Sequence, residues 1–101
     1  MEFIKVLSTK DLASGEMKDV EANGKEILIV NLEGNFYALG NVCTHVGCLL
    51  SDGMLSGEKV KCTCHGSTFS VKTGSVVTGP AKNPEPVFQV KVEKDQVLVN
   101  V

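Results

Sequence analysis

Both histidines and all four cysteines of this 101-residue chain lie in two short clusters, Cys43-Thr44-His45-Val46-Gly47-Cys48 and Cys62-Thr63-Cys64-His65-Gly66-Ser67. Sixteen residues separate His45 from Cys62, so each cluster can form one loop that offers a metal one thiolate and one imidazole, as C-x-H and C-x-x-H. Mixed Cys2His2 ligation fits either a tetrahedral zinc or a two-iron, two-sulfur centre with histidine on one iron. The order of ligands bears on the choice. A Cys2His2 zinc finger places a cysteine pair before a histidine pair, whereas here each half contributes one of each. Such segregation suits a binuclear cluster in which Cys43 and Cys62 hold one iron and His45 and His65 the other, with zinc the remaining alternative.

Two such loops need a stiff frame, and the rest of the chain reads as an antiparallel β domain. Candidate strands are Phe3 to Leu7, Met17 to Glu21, Lys25 to Asn31, Phe36 to Leu39, Lys59 to Cys62, Thr68 to Val71, Ser75 to Val77, Val87 to Glu93 and Gln96 to Val101. Hairpin turns are expected at Asn23-Gly24, Glu33-Gly34-Asn35, Lys72-Thr73-Gly74 and Lys94-Asp95, where the residue types suit tight reversals. Alternation is clearest in Phe88-Gln89-Val90-Lys91-Val92, with one side toward a core and the other toward water. Ser8-Thr9-Lys10-Asp11-Leu12 predicts one helical turn with Ser8 as N-cap and Asp11 reaching back.

Composition narrows the classes further. A chain of 101 residues makes one domain with a modest core. With 43% hydrophobic and 22% charged residues it has the make-up of an ordinary soluble protein. No stretch approaches the roughly eighteen apolar residues of a membrane span. The N-terminal residues alternate and soon meet charge, as in a strand and unlike a signal peptide, so a soluble, cytoplasmic monomer is expected. A net charge of −2 with interspersed signs offers no basic face for nucleic acid. Lys59 and Lys61 flank a strand without forming a patch.

The motif C-x-H, sixteen residues, C-x-x-H, with Gly47 and Cys48 after the first half and Gly66 and Ser67 after the second, resembles the Rieske family. The likeness spans nearly the whole chain and is specific from about residue 42 to 81. It implies an all-β fold, an antiparallel β-sandwich with an inserted cluster-binding subdomain: a base domain at about 1–39 and 81–101, and the subdomain at about 40–80. It implies one Rieske-type [2Fe-2S] cluster per chain, held by Cys43, His45, Cys62 and His65. In the cytochrome bc-type branch the cysteines at the positions of Cys48 and Cys64 form a disulfide between the two loops, a pair that many small oxygenase ferredoxins lack. Pro80, in Gly79-Pro80-Ala81, falls where the family has a stiff loop covering the cluster.

The same resemblance assigns the surroundings of the site. Gly66 and Ser67 lie beside the ligands, and Ser67 occupies the place where high-potential members donate a hydroxyl hydrogen bond to a bridging sulfide. Two residues on, those members carry a tyrosine, and here Phe69 has no donor. At roughly 0.5–1.5 kcal/mol for one net hydrogen bond and about 59 mV per 1.36 kcal/mol for one electron, its absence lowers the potential by roughly 20–65 mV. Family members keep the histidine ligands near the surface, so His45 and His65 become the electron's exit, with Val46 as an apolar docking residue. The function implied is a soluble one-electron carrier, without catalysis of its own, between a reductase or quinol-linked donor and an oxygenase, oxidase or cytochrome acceptor. A small relay subunit of a nitrite or arsenite oxidoreductase is the alternative, and a structural zinc module a weaker one. A catalytic oxygenase is excluded, since no histidine remains for a mononuclear iron site.

Overall fold

In a strand, successive side chains point to opposite faces, so the unbroken apolar run Ile27-Leu28-Ile29-Val30 requires cover on both sides. The computed structural model, which describes residues 2–43, 47–64, 66–79 and 81–101, places this run in the middle of the molecule. It forms β3 (Lys25–Leu32), between β2 (Met17–Ala22) and β4 (Asn35–Gly40). Ile27 and Ile29 face one core with Leu7, Ala38, Val97 and Val99. Leu28 and Val30 face a second core with Leu39, Leu50, Val60, Phe69 and two cysteines, Cys43 and Cys62. All four residues of the run are fully buried.

Among the described residues the strands form three antiparallel sheets. One outer sheet pairs β1 (Phe3–Ser8) with β11 (Gln96–Asn100), and β11 with β10 (Val90–Glu93). The central sheet runs β2-β3-β4-β9, with the two-residue β9 (Val87–Phe88) pairing Ala38 with Phe88. The other outer sheet is sequence-local: β5 (Met54–Ser56), β6 (Lys59–Lys61), β7 (Thr68–Ser70) and β8 (Val76–Thr78), in that order. Each outer sheet presents its inward residues to one face of the central one, so the central sheet is the shared wall of both cores. This is the antiparallel all-β architecture expected from the sequence.

The turns explain why the hairpins form where they do. Asn23-Gly24 (φ 53° and 74°), Glu33-Gly34 (53° and 89°) and Lys94-Asp95 (47° and 64°) each put two residues in the left-handed region, the pattern of a tight hairpin whose twist matches its strands. Asn35, expected in the second turn, is instead the first residue of β4. Ser8 caps a single 310 turn (Thr9–Asp11): Asp11 Oδ2 accepts from the Ser8 amide at 2.9 Å, and Ser8 Oγ accepts from the Lys10 amide.

Two elements differ from the sequence reading. The segment expected as one strand from Val87 to Glu93 is divided at Gln89, where the chain leaves the central sheet and joins β11. Its apolar side is only half-buried at Phe88 and Val90, and Val92 is 50% exposed, because β10 is the edge of its sheet. Strand β5 was not expected: three residues between Gly53 and Gly57 are too few to show a period. It forms because Leu55 opposite Val60 completes the inner face of the outer sheet.

Candidate metal centre

Cys43 and Cys62 stand at the first positions of two hairpins that close in the same way. The Cys43 amide donates to Cys48 O (2.6 Å) and the Gly47 amide to Cys43 O (2.9 Å). Equivalently, the Cys62 amide donates to Ser67 O (2.8 Å) and the Gly66 amide to Cys62 O (3.1 Å). Gly47 and Gly66 hold φ values of 78° and 79°, which favour glycine because a Cβ there would crowd the backbone. The first hairpin springs from β4 and the second joins β6 to β7, so each cysteine is carried at the end of a strand that lines the same core.

Both cysteines are nearly fully buried, at 2% and 1% exposure, and neither is disulfide-bonded. They project into the core that also holds Phe69, itself fully buried in β7. Cys48 and Cys64 are joined by a disulfide, their Cα atoms 6.5 Å apart. The bridge ties the end of the first hairpin to the middle of the second. Ser67 supplies a second tie: its buried hydroxyl oxygen accepts from the Ala81 amide at 3.0 Å. Accepting at oxygen leaves the hydroxyl proton to donate elsewhere, as the expected bond to a sulfide requires. The expected roles of His45, Val46, His65 and Pro80 fall on positions outside the described residues.

One residue that the sequence did not single out is Asn41, two positions before Cys43. Its buried side chain accepts from the Ser51 amide at 2.8 Å and donates to Ser51 Oγ at 3.1 Å, while its carbonyl accepts from the Leu50 amide. Asn41 thus clamps the base of the first hairpin to the 310 turn Leu50–Asp52. An asparagine at a strand end has no local signature that separates a clamp from a loop residue. Next to it, Gly53 is required by close approach, since a Cβ at that position would collide with the carbonyl of Lys61, the residue before Cys62.

The donor set suits an iron–sulfur centre. Two buried thiols at the mouths of paired hairpins can bind as thiolates to one iron, and the bridge withholds the other two sulfurs from ligation. Although the Sγ atoms of Cys48, Cys62 and Cys64 lie within 4.8 Å of one another, two of them are neutral disulfide sulfurs, so this trio as it stands is no ligand set.

Residues 2–96 match the model of the Rieske [2Fe-2S] domain, and the chain belongs to that family. The class defined by the fold and the match is an electron-transfer domain whose cofactor is the Rieske cluster. It is 41% identical over 101 residues to the ferredoxin component of biphenyl 2,3-dioxygenase of Rhodococcus jostii strain RHA1, covering all of this chain and 94% of that one. It is 40% identical over 94 residues to human apoptosis-inducing factor 3, of which it spans only 16%. Among solved structures, the ferredoxin of carbazole 1,9a-dioxygenase from Nocardioides aromaticivorans IC177 superposes with a TM-score of 0.93 at 26% identity, covering 98% of this chain and 97% of that one. A chain in a complex of reduced oxygenase and oxidized ferredoxin in carbazole 1,9a-dioxygenase gives 0.91 at 33% identity, covering 96% and 91%.

Proposed function

We propose that this protein is the ferredoxin of an oxygenase system, receiving single electrons from a reductase and passing them to a terminal oxygenase. The observation that supports it most is the near-complete, end-to-end correspondence with a dioxygenase ferredoxin component, which leaves little of either chain unmatched. The bridge Cys48–Cys64, associated through the family resemblance with cytochrome bc-type proteins, here sits in a chain of ferredoxin length.

In this proposal Cys43 and Cys62 hold one iron and His45 and His65 the other, on a subdomain of about residues 40–80. When bound, the cluster supplies one reversible electron. The chain's own residues set how readily it is taken. Neutral imidazoles in place of two thiolates leave the centre less negative and easier to reduce. The Ala81 amide fixes the Ser67 oxygen, so its hydroxyl proton would be left to donate toward a bound cluster. Phe69 keeps water from the cysteine side without offering a donor. Gly66 shapes the second hairpin, Pro80 stiffens the covering loop, and Val46, His45 and His65 form the partner contact. Among the described residues no helix is long and apolar enough to cross a membrane. A monomeric cytoplasmic carrier completes the proposal.

The test is reconstitution with a reductase and the terminal oxygenase of a biphenyl-type system. Expected are a red-brown protein with two irons and two labile sulfides, and oxygenase turnover that requires it. A colourless protein with one tightly bound zinc would refute the cluster assignment. A good cluster with no transfer to the oxygenase would refute the partner alone.

A further inference from the structure

The three sulfurs of Cys48, Cys62 and Cys64 lie within 4.8 Å of one another. In a tetrahedral zinc thiolate, Zn–S bonds of about 2.3 Å put neighbouring sulfurs roughly 3.8 Å apart, so small side-chain rotations suffice to seat an ion between them. Cys62 is buried and Cys64 exposed, giving one dry wall and one open entrance. We propose that, with the bridge reduced and no cluster aboard, these three thiolates bind a soft divalent ion, zinc above all, and that the bridge maintains iron–sulfur loading by removing two of the three ligands.

A dithiol reductant gives two electrons and two protons to the bridge and leaves as its own disulfide, producing the Cys48 and Cys64 thiols. Zinc then displaces three thiol protons, one from each cysteine, and solvent at the open side fills the fourth position. Divalent zinc binds a given ligand set more tightly than divalent iron, so an all-thiolate trio would favour the wrong metal. Because Cys62 is common to both sites, zinc in the trio and a cluster on Cys43 and Cys62 exclude each other. Reducing cytosol keeps most thiols unpaired, which makes the state of this bridge decisive during loading.

Cobalt(II) is the probe, since its thiolate charge-transfer absorption reports sulfur ligation directly. The full-length, cluster-free chain with His45→Ala and His65→Ala cannot form the Cys2His2 set, and circular dichroism verifies its fold. After phosphine reduction it should bind one cobalt per chain, with a charge-transfer band that zinc abolishes and an affinity at least tenfold above that of the bridged form. Adding Cys48→Ser should weaken the reduced form by tenfold or more. Equal affinity with the bridge open and closed, or no charge-transfer band on reduction, overturns the proposal. The unsubstituted chain gives an independent reading: after reduction, zinc should slow alkylation of Cys48 and Cys64 at least tenfold. Alkylation of both at the metal-free rate would instead assign the ion to the cysteine and histidine set and sink the proposal.

Discussion

Cys43–Cys48 and Cys62–Ser67 close with the same pair of backbone hydrogen bonds, yet the first ends in Cys48, covalently joined to Cys64, and the second in Ser67, bonded to the Ala81 amide. A third hairpin sharpens the contrast. At Ser70–Ser75 the Gly74 amide donates to Ser70 O, the Ser70 amide to Ser75 O, and Gly74 has a φ of 76°. That turn carries no cysteine or histidine. The loop geometry therefore belongs to the β-hairpin and needs no metal to impose it. Ligands and ties have been added to a turn that forms anyway, and the two cysteine hairpins differ chiefly in what their last residue fastens.

The sharpest way to break this comparison is to remove a ligand without touching the turn. Cys43→Ser or Cys62→Ser should abolish the cluster, seen as loss of visible absorption and of both irons, while the β-sheet circular dichroism persists. Loss of fold together with loss of iron would show that the hairpins depend on the metal after all.

Opening the covalent tie comes next. Cys48→Ser with Cys64→Ser frees a loop of sequence separation 16, for which chain entropy gives an upper value of about 3 kcal/mol. A bound cluster already joins the two hairpins, so the measured loss in the loaded protein should fall well below that figure. Faster cluster loss to chelator and a lower midpoint potential should accompany it.

The non-covalent tie should cost about as much or less. Ser67→Ala leaves the Ala81 amide without its acceptor in a buried setting, a penalty of about 1–3 kcal/mol, readable in denaturant unfolding. The potential should fall as well. Phe69→Tyr runs the other way: a hydroxyl reaching a ligand sulfur raises the midpoint by roughly 20–65 mV, checked by voltammetry. A drop in stability at unchanged potential would mean that the ring edge points elsewhere in the core.

The smallest effect is expected at the end of the outer sheet away from the cysteine hairpins. There Lys72 pairs with Glu58 at 3.1 Å and lies 5.9 Å from the centre of the Tyr37 ring. Its hydrogen bond to Glu58, then the charge of that carboxylate, raises its pKa above 10.5. A raised lysine pKa adds stability that is complete below the unfolded value and disappears as pH climbs through the folded one, so any pH dependence it brings is confined to strongly alkaline solution. Both partners are well exposed, and surface pairs contribute little. Lys72→Met should leave the unfolding midpoint at neutral pH unresolved from the parent.

How much of this was legible in the sequence depended on whether the signal was local. The turn dipeptides and the strand expected at Lys25 to Asn31 are short-range patterns with counterparts in the structure, and the two-cluster motif that carried the resemblance lies within residues 2–96, which match the family model. The division at Gln89 was not, because the polar–apolar period continues unbroken while the pairing partner changes from β4 to β11. Strand β5 was missed since its partner, and not its three residues, makes it a strand. Asn41 was missed because its role is defined by Ser51, ten positions away, and by the depth at which they meet.

The doubly covered strand β3 sets an order of events on the time axis of hydrogen exchange. Amides of Ile27 to Val30, sealed between two cores, should exchange only when the whole molecule opens, whereas the bonds closing the cysteine hairpins, one beyond the end of β4 and one at the tip of the short outer sheet, should yield in smaller openings. The cargo end can then empty and refill while the scaffold stays shut. For a carrier, that separates the lifetime of its cofactor from the lifetime of its fold, and a chain that has lost iron remains a template ready to be charged again.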